Sequence, residues 1–159
     1  MSANGVFAMS VITAVTAQNT EDVTDVFELP TSIIASQLDA VFDDFDVAAV
    51  KTGMLSSTAI VELMAKMLAI QKVANLVVDP VMVSKSGHAL LKPDAIDALK
   101  KLLFPLALVV TPNIHEAQQL SGLAIANLAD ARRAAKIIHG FGPKYVLIKG
   151  GHQIGRAHV

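Results

Sequence analysis

Asn75-Leu76-Val77-Val78 runs into Asp79-Pro80-Val81, and Leu108-Val109-Val110 runs into Thr111-Pro112-Asn113-Ile114-His115-Glu116. Each stretch couples a β-branched apolar run to an abrupt polar exit that contains proline. Short apolar runs with such exits read as buried strands of a parallel sheet. In an open parallel sheet, ligands bind in the crevice beyond the carboxyl ends of the strands. Asp79, Asn113 and Glu116 are therefore expected along that edge, with Lys149 at the end of a later strand. Such a set of groups suits a nucleotide and its metal, and suggests phosphoryl transfer.

Outward from these two stretches, five apolar runs alternate with five helical patterns. Residues 6–15, 45–50, 75–78, 107–110 and 145–148 read as strands. Pro30 opens a helix with Ile34, Leu38, Val41 and Phe42 on one face, the spacing of an amphipathic helix. Ser56 or Ser57 caps the next, which buries Ile60, Leu63, Met64, Met67 and Leu68. Pro93 opens a third at a favoured first-turn position, with Ile96, Leu99 and Leu103 inward. The fourth runs from Asn113 to about Ser121, and the fifth from Leu128 to His139-Gly140. Strands alternating with helices predict βαβ crossovers and a parallel sheet.

Composition narrows the function classes. A chain of 159 residues, 53% of them hydrophobic, buries one substantial core and is expected to form a single domain. No apolar run reaches the roughly 18 residues of a spanning helix, so the apolar excess belongs to a core covered on both faces. The net charge is −1 and aromatics make up 4%, without a basic stripe, which argues against nucleic acid as a partner. Cysteine is absent, which excludes disulfides and thiolate metal sites and fits a cytoplasmic protein. The start, Met1-Ser2-Ala3-Asn4-Gly5, has no basic segment before its apolar stretch, so no secretory signal is read there.

Each polar cluster carries a structural reading beside the chemical one. Asn113-x-x-Glu116 before an apolar run is a capping box, with Glu116 favouring the helix dipole. Both readings hold together if Asn113 caps while Glu116 reaches a hydrated Mg²⁺, which binds through few carboxylates. Asp79 is either a turn residue bonding nearby N–H groups or a carboxylate facing phosphates and metal. Lys149-Gly150-Gly151-His152 is a turn, or a lysine whose glycines let backbone approach an anion. Lys85-Ser86-Gly87 defaults to a solvated turn. Gln18-Asn19 and Met54 close the first two strands; an amide there suits the edge of a flat heterocycle and a methionine its face, although by themselves they read first as a polar strand exit and a core methionine. The histidines show no metal-ligand spacing, and neither GxGxxG nor a Walker A sequence occurs.

Read together, five strings resemble one family. They are residues 10–20 (SVITAVTAQNT), 51–55 (KTGML), 78–87 (VDPVMVSKSG), 111–117 (TPNIHEA) and 149–152 (KGGH). In that order they are similar to the hydroxymethylpyrimidine/phosphomethylpyrimidine kinases of thiamin biosynthesis, in the ribokinase-like superfamily. The resemblance implies a three-layer α/β sandwich around a mainly parallel central sheet, here truncated. It implies that Gln18 hydrogen-bonds the aminopyrimidine and Met54 lines its pocket. Asp79, Asn113, Glu116 and Lys149 would belong to the ATP region, with Asp79 and Glu116 toward Mg²⁺. The implied reaction moves the γ-phosphoryl of ATP to the hydroxymethyl group, then to the monophosphate, in a protein that forms a homodimer at full length.

The sequence also departs from that family. Its Gly/Ser-rich first strand segment and its closing Gly-Thr-Gly segment, which carries the anion hole and the activating residue, have no counterpart here. No catalytic residue is therefore expected in this chain, and little activity from it alone. Residues 1–153 are read as a partial kinase domain, and 154–159 (IGRAHV) as a non-native tail. ATC GGA AGA GCA CAC GTC encodes that tail and resembles a common sequencing adapter; a genomic locus that continues past Gln153 through the same codons would remove the expectation. Two alternatives stay open: a pyridoxal-type kinase of the same superfamily, and a non-catalytic pyrimidine- or nucleotide-binding chain.

Overall fold

Four short parallel strands align in chain order, and their pairing decides where the side chains of the site emerge. A computed structural model describes residues 2–82, 91–150 and 157–158. A hairpin comes first: β1 (Ala14–Gln18) and β2 (Val23–Glu28) pair antiparallel as a separate two-stranded sheet. Then come α1 (Thr31–Asp44), β3 (Val50–Thr52), α2 (Thr58–Ile70), β4 (Leu76–Val78) and α3 (Pro93–Ala98). A π-helical turn at Leu99–Leu103 and a 3₁₀ turn at Phe104–Leu106 lead into β5 (Val109–Val110). Finally α4 (Ile114–Ser121) and α5 (Leu128–His139) precede β6 (Tyr145–Ile148). Two residues of the expected tail, Ala157–His158, form β7, antiparallel to β6.

The expected α/β architecture is present. Strands β3, β4, β5 and β6 run parallel in that order, with Thr52 beside Val78, Val78 beside Val110, and Val110 beside Val146. Successive side chains of a strand point to opposite faces. Thr52, Leu76, Val78, Val110, Val146 and Ile148 therefore share one face, and all six are buried. Val77, Val109 and Leu147 take the other face and are half-buried, while Tyr145 there is 50% exposed. The helices supply the rest of the core through Ile60, Val61, Met64 and Leu68 of α2 and Ala131, Ala134, Ala135 and Ile138 of α5.

Three expectations need correction. Residues 6–15 are not a strand: only Ala14 onward is extended in a sheet, and its partner is the unanticipated β2. Upstream, the backbone of Ile12 bonds to the side-chain amide of Gln37, which donates to its carbonyl and accepts from its N–H, so a helix rather than a strand satisfies it. The second strand lies at Val50–Thr52 rather than residues 45–50, because a parallel ladder exists only where β4, beginning at Leu76, runs alongside. Ser57 occupies the N-cap of α2 but its side chain makes no capping bond, and the Ser56 hydroxyl is buried without a partner.

A candidate anion and metal edge at the strand ends

The face alternation brings the polar residues together. Lys51, Asp79 and Lys149 are odd-numbered on strands whose even-numbered residues, the half-buried Val50 apart, are buried, so all three project from the less covered face at the carboxyl edge. Asp79 continues β4 by one residue, its N–H donating to the Thr52 carbonyl at 3.1 Å. Lys149 continues β6, its N–H donating to the Pro112 carbonyl at 2.8 Å. The two ends are thus held by the same ladder that holds the sheet.

Asp79 carries a lysine on each oxygen. The Lys149 ammonium donates to Oδ1 at 2.7 Å, and the Lys51 ammonium lies 3.2 Å from Oδ2. The carboxylate side chain is 18% exposed, while both lysines are 44–45% exposed. Water therefore screens the lysines but reaches the carboxylate less, and the pairs fix geometry more than they add stability. Lys51 belongs to a string noted in the sequence, yet no role was read for it. Its place on the same face as Asp79 follows from the register of β3 on β4, in which Lys51 stands beside Val77.

Asn113 and Glu116 form the complete capping box. The Asn113 side chain accepts from the Glu116 N–H at 2.9 Å, and Glu116 Oε2 accepts from the Asn113 N–H at 2.7 Å. Glu116 is only 4% exposed. Burial raises its carboxyl above the ordinary glutamate value and nearby Asp79 adds to that, against the N–H of Asn113, the Lys149 ammonium and the N–H of Met82. The structural reading is thus realised, and the same carboxylate stays within the electrostatic reach of Asp79 and Lys149. Among the described residues no cluster of three or more His, Cys, Asp or Glu side chains could hold a metal ion. The donor set is nonetheless all oxygen, which suits a hard cation that keeps its waters and takes one or two carboxylates.

Met54 and Gln18 are placed differently. Met54 is half-buried and lines a cavity of about 670 Å³ between residues 6–14, α1 and β3. Its carbonyl accepts from the Thr13 hydroxyl at 2.9 Å, tying the base of the hairpin to the end of β3. Gln18 is exposed at the far end of β1 and does not line that cavity. Five residues of strand separate it from Thr13, about 17 Å of rise. Asp79, Asn113, Glu116 and Lys149 are also outside the cavity wall, whereas Lys51 belongs to it. The Lys85-Ser86-Gly87 turn, Gly151 and His152 lie outside the described residues.

Comparison with known proteins bears on this arrangement. A sequence profile described as phosphomethylpyrimidine kinase matches residues 1–159. A hydroxymethylpyrimidine/phosphomethylpyrimidine kinase of Streptomyces coelicolor is 49% identical over 99% of the chain, which spans 58% of that relative's length. The crystal structure of a phosphomethylpyrimidine kinase from Clostridium difficile 630 superposes with a TM-score of 0.87 at 50% identity, over 98% of this chain and 68% of that one. A Bacillus subtilis pyridoxal kinase, solved as an ADP complex, gives a TM-score of 0.85 at 37% identity, over 96% of this chain and 57% of that one. No helix among the described residues is long and apolar enough to cross a membrane.

Proposed function

Because the chain belongs to the phosphomethylpyrimidine kinase family, we propose that its protein transfers the γ-phosphoryl of ATP to a hydroxymethylpyrimidine and then to the resulting monophosphate. The observation that carries this reading is the convergence of Lys149, Asp79 and Glu116 at one sheet edge. Phosphoryl transfer makes little covalent demand on protein groups and depends on positioning and on neutralising phosphate charge. In the proposed assignment Lys149 lies against the ATP phosphates. Asp79 orients that lysine, and Asp79 and Glu116 face the metal through water. Mg²⁺, when bound, would neutralise the phosphate oxygens. Asn113 holds Glu116 in place through the capping box. Met54 packs on the pyrimidine, and Gln18 reads its edge when the β1–β2 hairpin lies over the pocket.

The test is kinetic. The protein expressed from the whole open reading frame that contains this chain is offered Mg-ATP with the hydroxymethylpyrimidine, its monophosphate, and pyridoxal. ADP release with both pyrimidines, at a kcat/KM above that for pyridoxal, is the expected result. Preference for pyridoxal would transfer the reading to the other kinase that the fold resembles. Absence of ADP release with all three, alongside calorimetric binding of Mg-ATP, would leave a nucleotide-binding protein in place of a kinase.

A further inference from the structure

Lys51 is the one residue, among those described, that belongs both to the wall of the Met54 cavity and to the Asp79 cluster. Its main chain lies on β3, one strand from Asp79, while Lys149 approaches the same carboxylate from β6 on the opposite side. The Lys51 ammonium folds back over Gly53, where an added Cβ would stand 3.4 Å from it, an ordinary contact. Two ammonium groups thus share one carboxylate, and the Lys51 stem borders the cavity. Lys149 makes the shorter contact, 2.7 Å against 3.2 Å. Lys51 makes the longer contact of the two, and with both lysines 44–45% exposed neither ion pair is strong.

We infer that Lys51 is a specificity-determining residue that binds the phosphate of a phosphorylated acceptor and so favours the second of the two phosphorylations. The inference rests on the kinase reading above. An unphosphorylated alcohol presents no anion to Lys51, which then stays on Asp79 Oδ2. The monophosphate brings a dianionic group, and the ammonium leaves the weaker pair for it, as a point charge on a flexible stem is suited to do. In that step an oxygen of the acceptor phosphate forms the new P–O bond to the γ-phosphorus of ATP. The bond to the β–γ bridging oxygen breaks, and ADP leaves with that electron pair. The attacking oxygen carries no proton, so the step needs no base; it needs a cation to offset repulsion between two phosphates. Lys149 remains on Asp79 throughout.

Lys51→Met and Lys51→Arg in the protein of the whole open reading frame test this. With the monophosphate as acceptor, Lys51→Met is expected to lower kcat/KM by about 10–100-fold, mainly through KM, the loss of one hydrogen bond to a charged group. With the alcohol as acceptor the loss should stay under about threefold, since only a screened pair with Asp79 disappears. Lys51→Arg, which keeps the charge, should recover most of the difference. Equal losses on both acceptors would overturn the inference and make Lys51 a support for Asp79 alone. No loss on either would overturn it as well. A wild type that phosphorylates neither acceptor would sink the kinase reading first. Calorimetry with the pyrimidine monophosphate then decides Lys51 separately, and equal affinity for wild type and Lys51→Met would count against it.

Discussion

At the strand ends, Asn113 and Glu116 hold each other, and Lys149 holds Asp79, through bonds of 2.7–2.9 Å, whereas among the described residues the β1–β2 hairpin finds strand partners only in itself. The first region inherits its geometry from a ladder whose buried face is closed. Val78, Val110, Val146 and Ile148 are at most 1% exposed, so a slip of one residue would bury Asp79 in place of Val78 and Lys149 in place of Ile148. The hairpin has no such constraint. Val15 and Phe27 lie opposite each other and are 56% and 66% exposed. One region holds charge in a place set by the sheet register, and the other, apart from Val23, buries little of its own surface. The contrast predicts that changes in the first are felt as chemistry or stability, and changes in the second hardly as stability at all.

The largest expected effect is at Asp79. Asp79→Asn keeps the shape and the turn but leaves two ammonium groups without their shared counter-charge. In the protein of the whole open reading frame, kcat/KM should fall by about 10²–10³-fold, the size of losing one preorganised electrostatic partner. The unfolding free energy should change by no more than about 1 kcal/mol, because both lysines are well solvated. A melting shift large enough to explain the lost activity would break the proposed division between chemistry and stability at this edge.

Much of the first region was legible from residues alone. A run such as Leu76-Val77-Val78 ending at Asp79-Pro80 reads as a buried strand with a polar exit, and Asn113-x-x-Glu116 carries its own capping geometry. Helices α1, α2, α4 and α5 follow from 3.6-residue spacing and from their starts. The N-terminal region failed for the opposite reason. Residues 6–12 are β-branched and apolar enough to resemble a strand, but what satisfies Ile12 is the amide of Gln37, a partner 25 residues away that no local pattern reveals. A signal for the hairpin did exist. Thr16-Ala17-Gln18 and Val23-Thr24-Asp25-Val26-Phe27 flank a polar turn in which the Asn19 side chain accepts from the N–H groups of Glu21 and Asp22. Strand contents of mixed polarity hid it, because Val15 and Phe27 face water while Ala14, Thr16, Val26 and Glu28 on the other face are only half-buried. The pairing of Lys51 with Asp79 was beyond reach until the register placed both on one face.

Glu116 gives an effect of middle size and a sign to check. Glu116→Ala leaves the buried N–H of Asn113 without an acceptor and should lower stability by about 1–3 kcal/mol. Glu116→Gln keeps an acceptor oxygen and removes only the titration. Burial lifts the wild-type carboxyl above its ordinary 4.5, so the folded state retains a proton that the unfolded chain has lost. Its contribution is then fully present below the ordinary value and is lost as pH rises through the raised one. Urea unfolding across the acid-to-neutral range should show wild type losing ground to Glu116→Gln as pH climbs through that window. Parallel curves would mean that the N–H donors and Lys149 cancel the effect of burial.

The smallest effect belongs to the hairpin. Phe27→Ser removes an exposed ring and its cross-strand contact with Val15, and such pairs contribute roughly 0.2–1 kcal/mol. Leu103, fully buried in the core, sets the scale, since Leu103→Ala should cost about 2–5 kcal/mol. Denaturant midpoints of the two variants, measured side by side, test the contrast directly. A loss at Phe27 approaching that at Leu103 would mean that the hairpin is packed against a surface in solution, and the two regions would then have to be treated as one cooperative unit. A loss below about 1 kcal/mol keeps the hairpin an independent flap, free to bring Gln18 toward Met54 without disturbing the charged edge behind it.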